Sequence, residues 1–159
     1  MKILWKTAVM AACLAAASAG VQAQDTTYRK DIRPLFDKQC AECHGGPDAP
    51  YFGEFREKEK QFVAKKQGMK MDSYADMIFF VGWPDTGALM RRLDDGKSAG
   101  GKPGNMYRYL GDTDEERQKN LAVFKAWVGE DAWNMKRWTA RGNVPAITKE
   151  ELDKIKVKY

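Results

Sequence analysis

Histidine is almost missing from this 159-residue chain, which contains one, His44. That excludes any metal or catalytic site built from two histidines of one chain, and a two-Cys-two-His zinc site with it. Cysteine is nearly as scarce: Cys13, Cys40 and Cys43 are the full set. No apolar run approaches the roughly 20 residues of a bilayer-spanning helix. Neither sign of charge dominates, with 27 Lys+Arg against 22 Asp+Glu and a formal charge of +5. A basic stripe interleaved with aromatics, the footprint of a nucleic-acid binder, is also lacking. What remains is 43% hydrophobic and 31% charged, the composition of one soluble globular domain of ordinary size. There is no internal repeat, low-complexity tract or second domain.

The N-terminus has its own logic. Lys2 and Lys6 precede a short run of small apolar residues, Thr7 to Ala17, and then Val21-Gln22-Ala23. Small residues at positions −3 and −1 before Gln24 fit a secretory cleavage site between Ala23 and Gln24; the rival is an uncleaved anchor. Cleavage would leave 24–159 as the mature chain in the periplasm, with no stable membrane insertion expected. It removes Lys2, Lys6 and no acid, which lowers the formal charge from +5 to +3. It also removes Cys13.

Cys40-Ala41-Glu42-Cys43-His44 then becomes the chemical centre of the chain. C-x-x-C-H is the haem c attachment signature: both thiols add to porphyrin vinyl groups, and the next residue offers an imidazole to iron. A redox dithiol of the thioredoxin type would follow a strand, and no strand pattern precedes Cys40. Structural zinc would need a second ligand pair, which the mature chain lacks. Cys40 and Cys43 are therefore the expected covalent attachment points of one haem c, and His44 its proximal iron ligand.

The second iron face is argued by position. Bis-histidine ligation is impossible, which leaves a Met sulfur, a Lys, a Tyr, the chain's amino terminus or no protein ligand. Met77 and Met90 fall in helical apolar patterns that read as core, and Met135 sits among Trp133 and Trp138. Met69 and Met71 flank Lys70 in a polar turn and remain candidates. Met106 lies in the Gly/Pro-rich stretch Gly100–Gly111, which can close over a flat cofactor and present one sulfur to it. It is the preferred distal ligand.

Elsewhere the apolar spacing is helical, so the fold class reads as all-α. Tyr28 to Gln39 reads as a first helix with Thr26 or Thr27 as cap, Pro34 early in it, and Ile32, Leu35 and Phe36 as its stripe. The loop Gly45–Pro50 is expected to supply a carbonyl to His44 Nδ1. Mixed charges over 54–67 read as a solvated helix. Asp72 or Ser73 caps a helix through Phe80, and Pro84 to Leu93 forms a shorter element. Thr113 and Glu116 read as a capping box opening the clearest helix, which runs to Val128 and stops at Gly129. Its buried stripe is Leu121, Phe124 and Val128, with Trp127 beside it. The stretch 130–159 reads as an extension anchored by Trp133 and Trp138, with a last helix capped at Thr148.

A helix, C-x-x-C-H, a Gly/Pro loop, Met106 in a loop and a final helix ending Ala126-Trp127-Val128 together resemble the class I cytochromes c over about residues 28–129. The resemblance implies an all-α haem domain whose first and last helices cross, with His44 and Met106 as axial ligands. It further implies one-electron transfer between a donor and an acceptor redox protein in the periplasm. Two departures stand out: Tyr107 follows Met106 where the family commonly has proline, and the chain is longer through 54–80 and 130–159. The alternative function is a haem enzyme or gas sensor with an open iron face, but no second histidine exists to move protons there. Arg91, Arg92, Lys97, Lys102 and Arg108 surround the Met106 loop, where they are expected to face an acidic partner or hold the haem propionates.

Overall fold

Thr27 opens the first helical segment: its hydroxyl accepts the Lys30 N–H at 3.3 Å. In the computed structural model, which describes residues 25–98, 101–133 and 145–159, the first turn Tyr28–Ile32 is wide. Ile32 N–H reaches back to the Thr27 carbonyl at 3.2 Å. The turn runs into α1 (Arg33–Gln39), where Pro34 occupies the start of the helix and its missing N–H leaves no gap. α2 (Ala41–His44) follows at once, and Cys40 N–H still bonds the Phe36 carbonyl at 2.8 Å.

The charged stretch 54–67 forms two pieces, α3 (Phe52–Glu57) and α4 (Glu59–Ala64), broken at Lys58. Its charges face solvent as expected, while Phe55 is buried and stacks on Phe62 with centroids 6.1 Å apart. Ser73 caps α5 (Tyr74–Phe79) by accepting Asp76 N–H at 3.1 Å. α6 (Ala88–Leu93) buries Leu89, Met90 and Leu93. The loop after it contains one 3-10 turn, Tyr107–Leu110, which the Gly/Pro-rich pattern did not reveal. Thr113 caps α7 (Asp114–Val128), which ends at Gly129. α8 (Glu130–Trp133) follows directly, and α9 (Lys149–Leu152) begins with a complete capping box on Thr148 and Glu151.

One apolar cluster joins these pieces. Leu121, Phe124, Trp127 and Val128 of α7 meet Tyr28, Ile32 and Phe36, with Met77, Phe80, Val81, Leu89, Met90 and Leu93 completing it. Each such side chain contributes about 1.5–3 kcal/mol by leaving water. The first and last long helices come together where the Tyr28 and Trp127 rings lie 6.2 Å apart. The C-terminal segment is stitched over that contact. Lys156 and Val157 N–H bond the Val128 and Trp127 carbonyls, both at 2.9 Å, and the Lys158 carbonyl accepts the Tyr28 N–H at 2.8 Å and the Trp127 indole at 2.9 Å.

Trp133 is buried, as an anchor should be. Trp138, Met135 and the segment before Asp25 lie outside the described residues. Among the described residues no strand occurs, and no helix is long and apolar enough to cross a membrane.

Candidate functional site

The backbone bonds of one helical turn gather the C-x-x-C-H residues. Cys43 and His44 N–H both bond the Cys40 carbonyl, at 3.2 and 2.9 Å. A second segment, Gly68 to Met71, lies along this turn. Gly68 N–H bonds the Cys43 carbonyl at 2.7 Å, and Met71 N–H bonds the His44 carbonyl at 2.9 Å. Between them, His44 Nδ1 donates to the Met69 carbonyl at 2.7 Å.

That acceptor corrects the expectation of a carbonyl from Gly45–Pro50: the chain leaves α2 through that loop and meets the ring with a residue 25 positions beyond His44. The segment comes so close that a Cβ at Gly68 would overlap the imidazole. Asp72 secures the return by accepting Gly46 N–H at 3.0 Å and Lys70 Nζ at 3.1 Å. The only signal of this in the sequence was a polar turn, Gly68-Met69-Lys70-Met71.

The electrostatics suit metal ligation. Burial holds the His44 imidazolium below its ordinary range, an effect the Met69 carbonyl only partly offsets. The ring is thus neutral, with Nδ1–H committed and the Nε2 lone pair available to iron. Burial, and then the neighbouring Cys43, push the Cys40 thiol up to about 12. A redox dithiol needs the opposite shift, so the raised Cys40 thiol argues against exchange chemistry. No disulfide joins Cys40 and Cys43. Cys40, Ala41, Leu35, Met69, Met71 and Met106 are among the half-buried groups packed against the edge of the core. A neutral imidazole with one free nitrogen and two thiols on the same turn at the edge of the core fit a covalently held haem.

The Met106 loop is pinned to the end of α6. Gly104 N–H bonds the Asp94 carbonyl at 2.8 Å and Met106 N–H bonds the Arg92 carbonyl at 2.9 Å. Gly104 is obligatory, because a Cβ would strike the Arg91 and Arg92 carbonyls. Tyr107, in the position where proline was the comparison, accepts Gln118 Nε2 on its hydroxyl at 2.7 Å.

A family model described as PccH cytochrome c matches residues 27–159. The chain belongs to the PccH cytochrome c family. Among solved structures, the monohaem cytochrome PccH from Geobacter sulfurreducens is 59% identical, with a TM-score of 0.74 over 85% of this chain and 99% of that one. No curated protein matches significantly. Membership gives this PccH-family chain an all-α cytochrome c fold, one covalently bound haem c with its iron, and electron transfer as its class of work.

The basic residues around the Met106 loop divide on inspection. Arg91 bonds the Asp85 carboxylate at 2.9 Å and the Thr86 carbonyl at 2.8 Å, so it staples the loop that carries Trp83. Arg92 donates to Asn105 at 3.0 Å, Lys97 pairs with Asp95 at 3.2 Å, and Arg108 lies over the Tyr109 ring at 4.7 Å. Lys102 is exposed. Arg91 is engaged by the fold, so reversing its charge would disturb that loop as well as any docking face.

Proposed function

We propose that this cytochrome is an exported, periplasmic one-electron carrier between a donor and an acceptor redox protein. Its haem is held through Cys40 and Cys43, and its iron by His44 and Met106. The bound haem supplies the chemistry, a reversible Fe(II)/Fe(III) change. The chain holds the ligands fixed so that nothing rearranges when the electron moves. Residues 1–23 serve as the signal peptide, and 24–159 form the haem domain with 28–129 at its centre.

One observation carries the reading: His44 Nδ1 is tied to the Met69 carbonyl at 2.7 Å beside both thiols, which leaves Nε2 for iron. For the other face we infer Met106, by comparison of the methionines. Met69 and Met71 are bonded to the back of His44, on the proximal side. Met77 and Met90 are buried in the core. Met106 has the half-buried position and the pinned loop that a distal ligand requires. With His44 and Met106 both holding the iron, a gas or peroxide would find no open site, which sets the carrier above an enzyme or sensor. His/Met ligation also raises the potential relative to bis-histidine.

Visible spectra of the holoprotein, ferric and ferrous, with and without carbon monoxide, test this beside Met106→Ala. The expected parent is low-spin, shows the weak far-red band of Met-ligated ferric haem and ignores carbon monoxide; the variant loses the band and binds the gas. A parent that is high-spin and takes up carbon monoxide would overturn the carrier reading.

A further inference from the structure

Asp94 is 2% exposed, and its carboxylate is shared between two distant parts of the chain. Oδ1 accepts the indole N–H of Trp133, on α8, at 2.9 Å. Oδ2 accepts the N–H of Gly96, at the base of the Met106 loop, at 2.8 Å. From Gly96 the bonding continues along the loop. The Gly96 carbonyl accepts Gly101 N–H at 2.8 Å, and Asp94's own carbonyl accepts Gly104 N–H at 2.8 Å. Two residues on, Met106 N–H bonds the Arg92 carbonyl at 2.9 Å. Trp133 is itself 3% exposed, with its N–H on the Gly129 carbonyl at 3.0 Å and Lys125 Nζ 5.7 Å from its ring centre. The indole is therefore a fixed donor, set by the end of α7.

We propose that Asp94 is a positioning residue for the distal ligand: its buried carboxylate couples α8 to the Met106 loop and so holds Met106 against the iron. The inference rests on the reading of Met106 as that ligand. Two backbone bonds to the end of α6, Arg92 on Asn105 and Gln118 on the Tyr107 hydroxyl hold the loop beside Met106, and how readily it opens depends on such attachments, because local opening follows the local bonding and not the global stability. The carboxylate adds a buried attachment at the base of the loop and anchors it to a tryptophan in the core. An aspartate suits this place because it offers an acceptor to each side. Asparagine has one acceptor oxygen, so either the indole N–H or the Gly96 N–H would be left facing an amide NH2. A buried donor stranded in that way is costly.

Imidazole, which replaces a distal Met on ferric haem, reads loop opening directly. Its affinity is to be measured on holoprotein carrying Asp94→Asn, Trp133→Phe, both together, and Tyr74→Phe. Thermal unfolding is followed in parallel. Tyr74→Phe removes a bond to the Val157 carbonyl, 2.6 Å long, that involves no residue of the loop, and controls for general destabilisation. Each of the first two changes should tighten imidazole by about tenfold or more. The pair should fall well short of the product of the two, because with no indole donor the single amide oxygen introduced by Asp94→Asn is free for Gly96. Tyr74→Phe should lower the unfolding midpoint and leave imidazole affinity as in the parent.

Unchanged affinity in both Asp94→Asn and Trp133→Phe overturns the proposal, as does affinity that merely tracks the unfolding midpoint across all four variants. The Met106→Ala spectrum separates the two layers. If its far-red band survives, the ligand assignment falls, and this inference with it. If the band is lost there while imidazole binding ignores both substitutions, only the role of Asp94 falls.

Discussion

Gly68 shows how one missing side chain can set the orientation of another. Its backbone lies against the His44 ring, with its N–H on the Cys43 carbonyl, so that the next residue places a carbonyl on Nδ1. Gly68→Ala inserts a methyl group into the imidazole. Either the ring swings away or the 68–71 segment retreats and takes the Met69 carbonyl with it. Overpacking of this kind costs about 1–3 kcal/mol. The expected result is a lower unfolding midpoint and a ferric spectrum with a high-spin fraction. A variant with the parent's spectrum and midpoint would show that the segment yields freely and that the Met69 bond is not what sets the ring.

At the level of single elements, helix starts follow local rules with one instructive exception. Thr113 accepts Glu116 N–H at 3.2 Å as its motif requires, but Glu116 does not return the bond to Thr113. Its carboxylate instead takes Asp112 N–H at 3.0 Å, Lys38 Nζ at 2.8 Å and Gln39 Nε2 at 3.2 Å. It thereby ties the start of α7 to the end of α1, next to Cys40. The Lys38 bond first, and the Asp112 N–H next, hold this carboxyl below its ordinary value of 4.5. A depressed acid stabilises the fold above its unfolded pKa and loses that contribution as pH falls through its folded one. The midpoint difference between parent and Glu116→Gln should therefore be full at neutral pH, shrink in acid and shrink with added salt, since the group is exposed. A difference that persists undiminished below the carboxylate range would assign the effect to packing.

The whole molecule is closed by its C-terminus. Tyr159 stacks on Tyr28 at 6.1 Å and meets Tyr74 edge-on at 5.1 Å, with Arg29 4.6 Å from its ring centre. Beneath lies Trp127, fully buried and bonded to the Lys158 carbonyl. The last residues thus cap the place where the first and last long helices meet, and stability there belongs to four distant parts of the chain at once. Trp127→Phe keeps most of the ring and loses the indole bond, at a cost of about 1 kcal/mol. Trp127→Ala opens a cavity under the strap and costs about 3–5 kcal/mol. Denaturant unfolding of the holoprotein should rank them in that order; equal losses would mean that the strap collapses into the space and that the ring's volume is not what matters there.

Features confined to neighbouring residues were legible beforehand. Cys40, Cys43 and His44 stand within five positions, so one turn of helix brings them together and no other part of the chain is needed. Ser73, Thr113 and Thr148 cap their helices because a hydroxyl reaches an N–H three residues on. Apolar spacing announced the buried face of α7 for the same reason of short range. The Met69 carbonyl on His44, the Asp94 carboxylate between Gly96 and Trp133, and the Arg91 staple on Asp85 and Thr86 had no such signature. Each uses a backbone group, which every residue carries alike, or a pairing that exists only after the core has formed. Nor did composition mark residues 154–159 as the cover of the helix crossing. Local bonding gathered Cys40, Cys43 and His44 on one turn; long-range packing chose which groups hold that turn still.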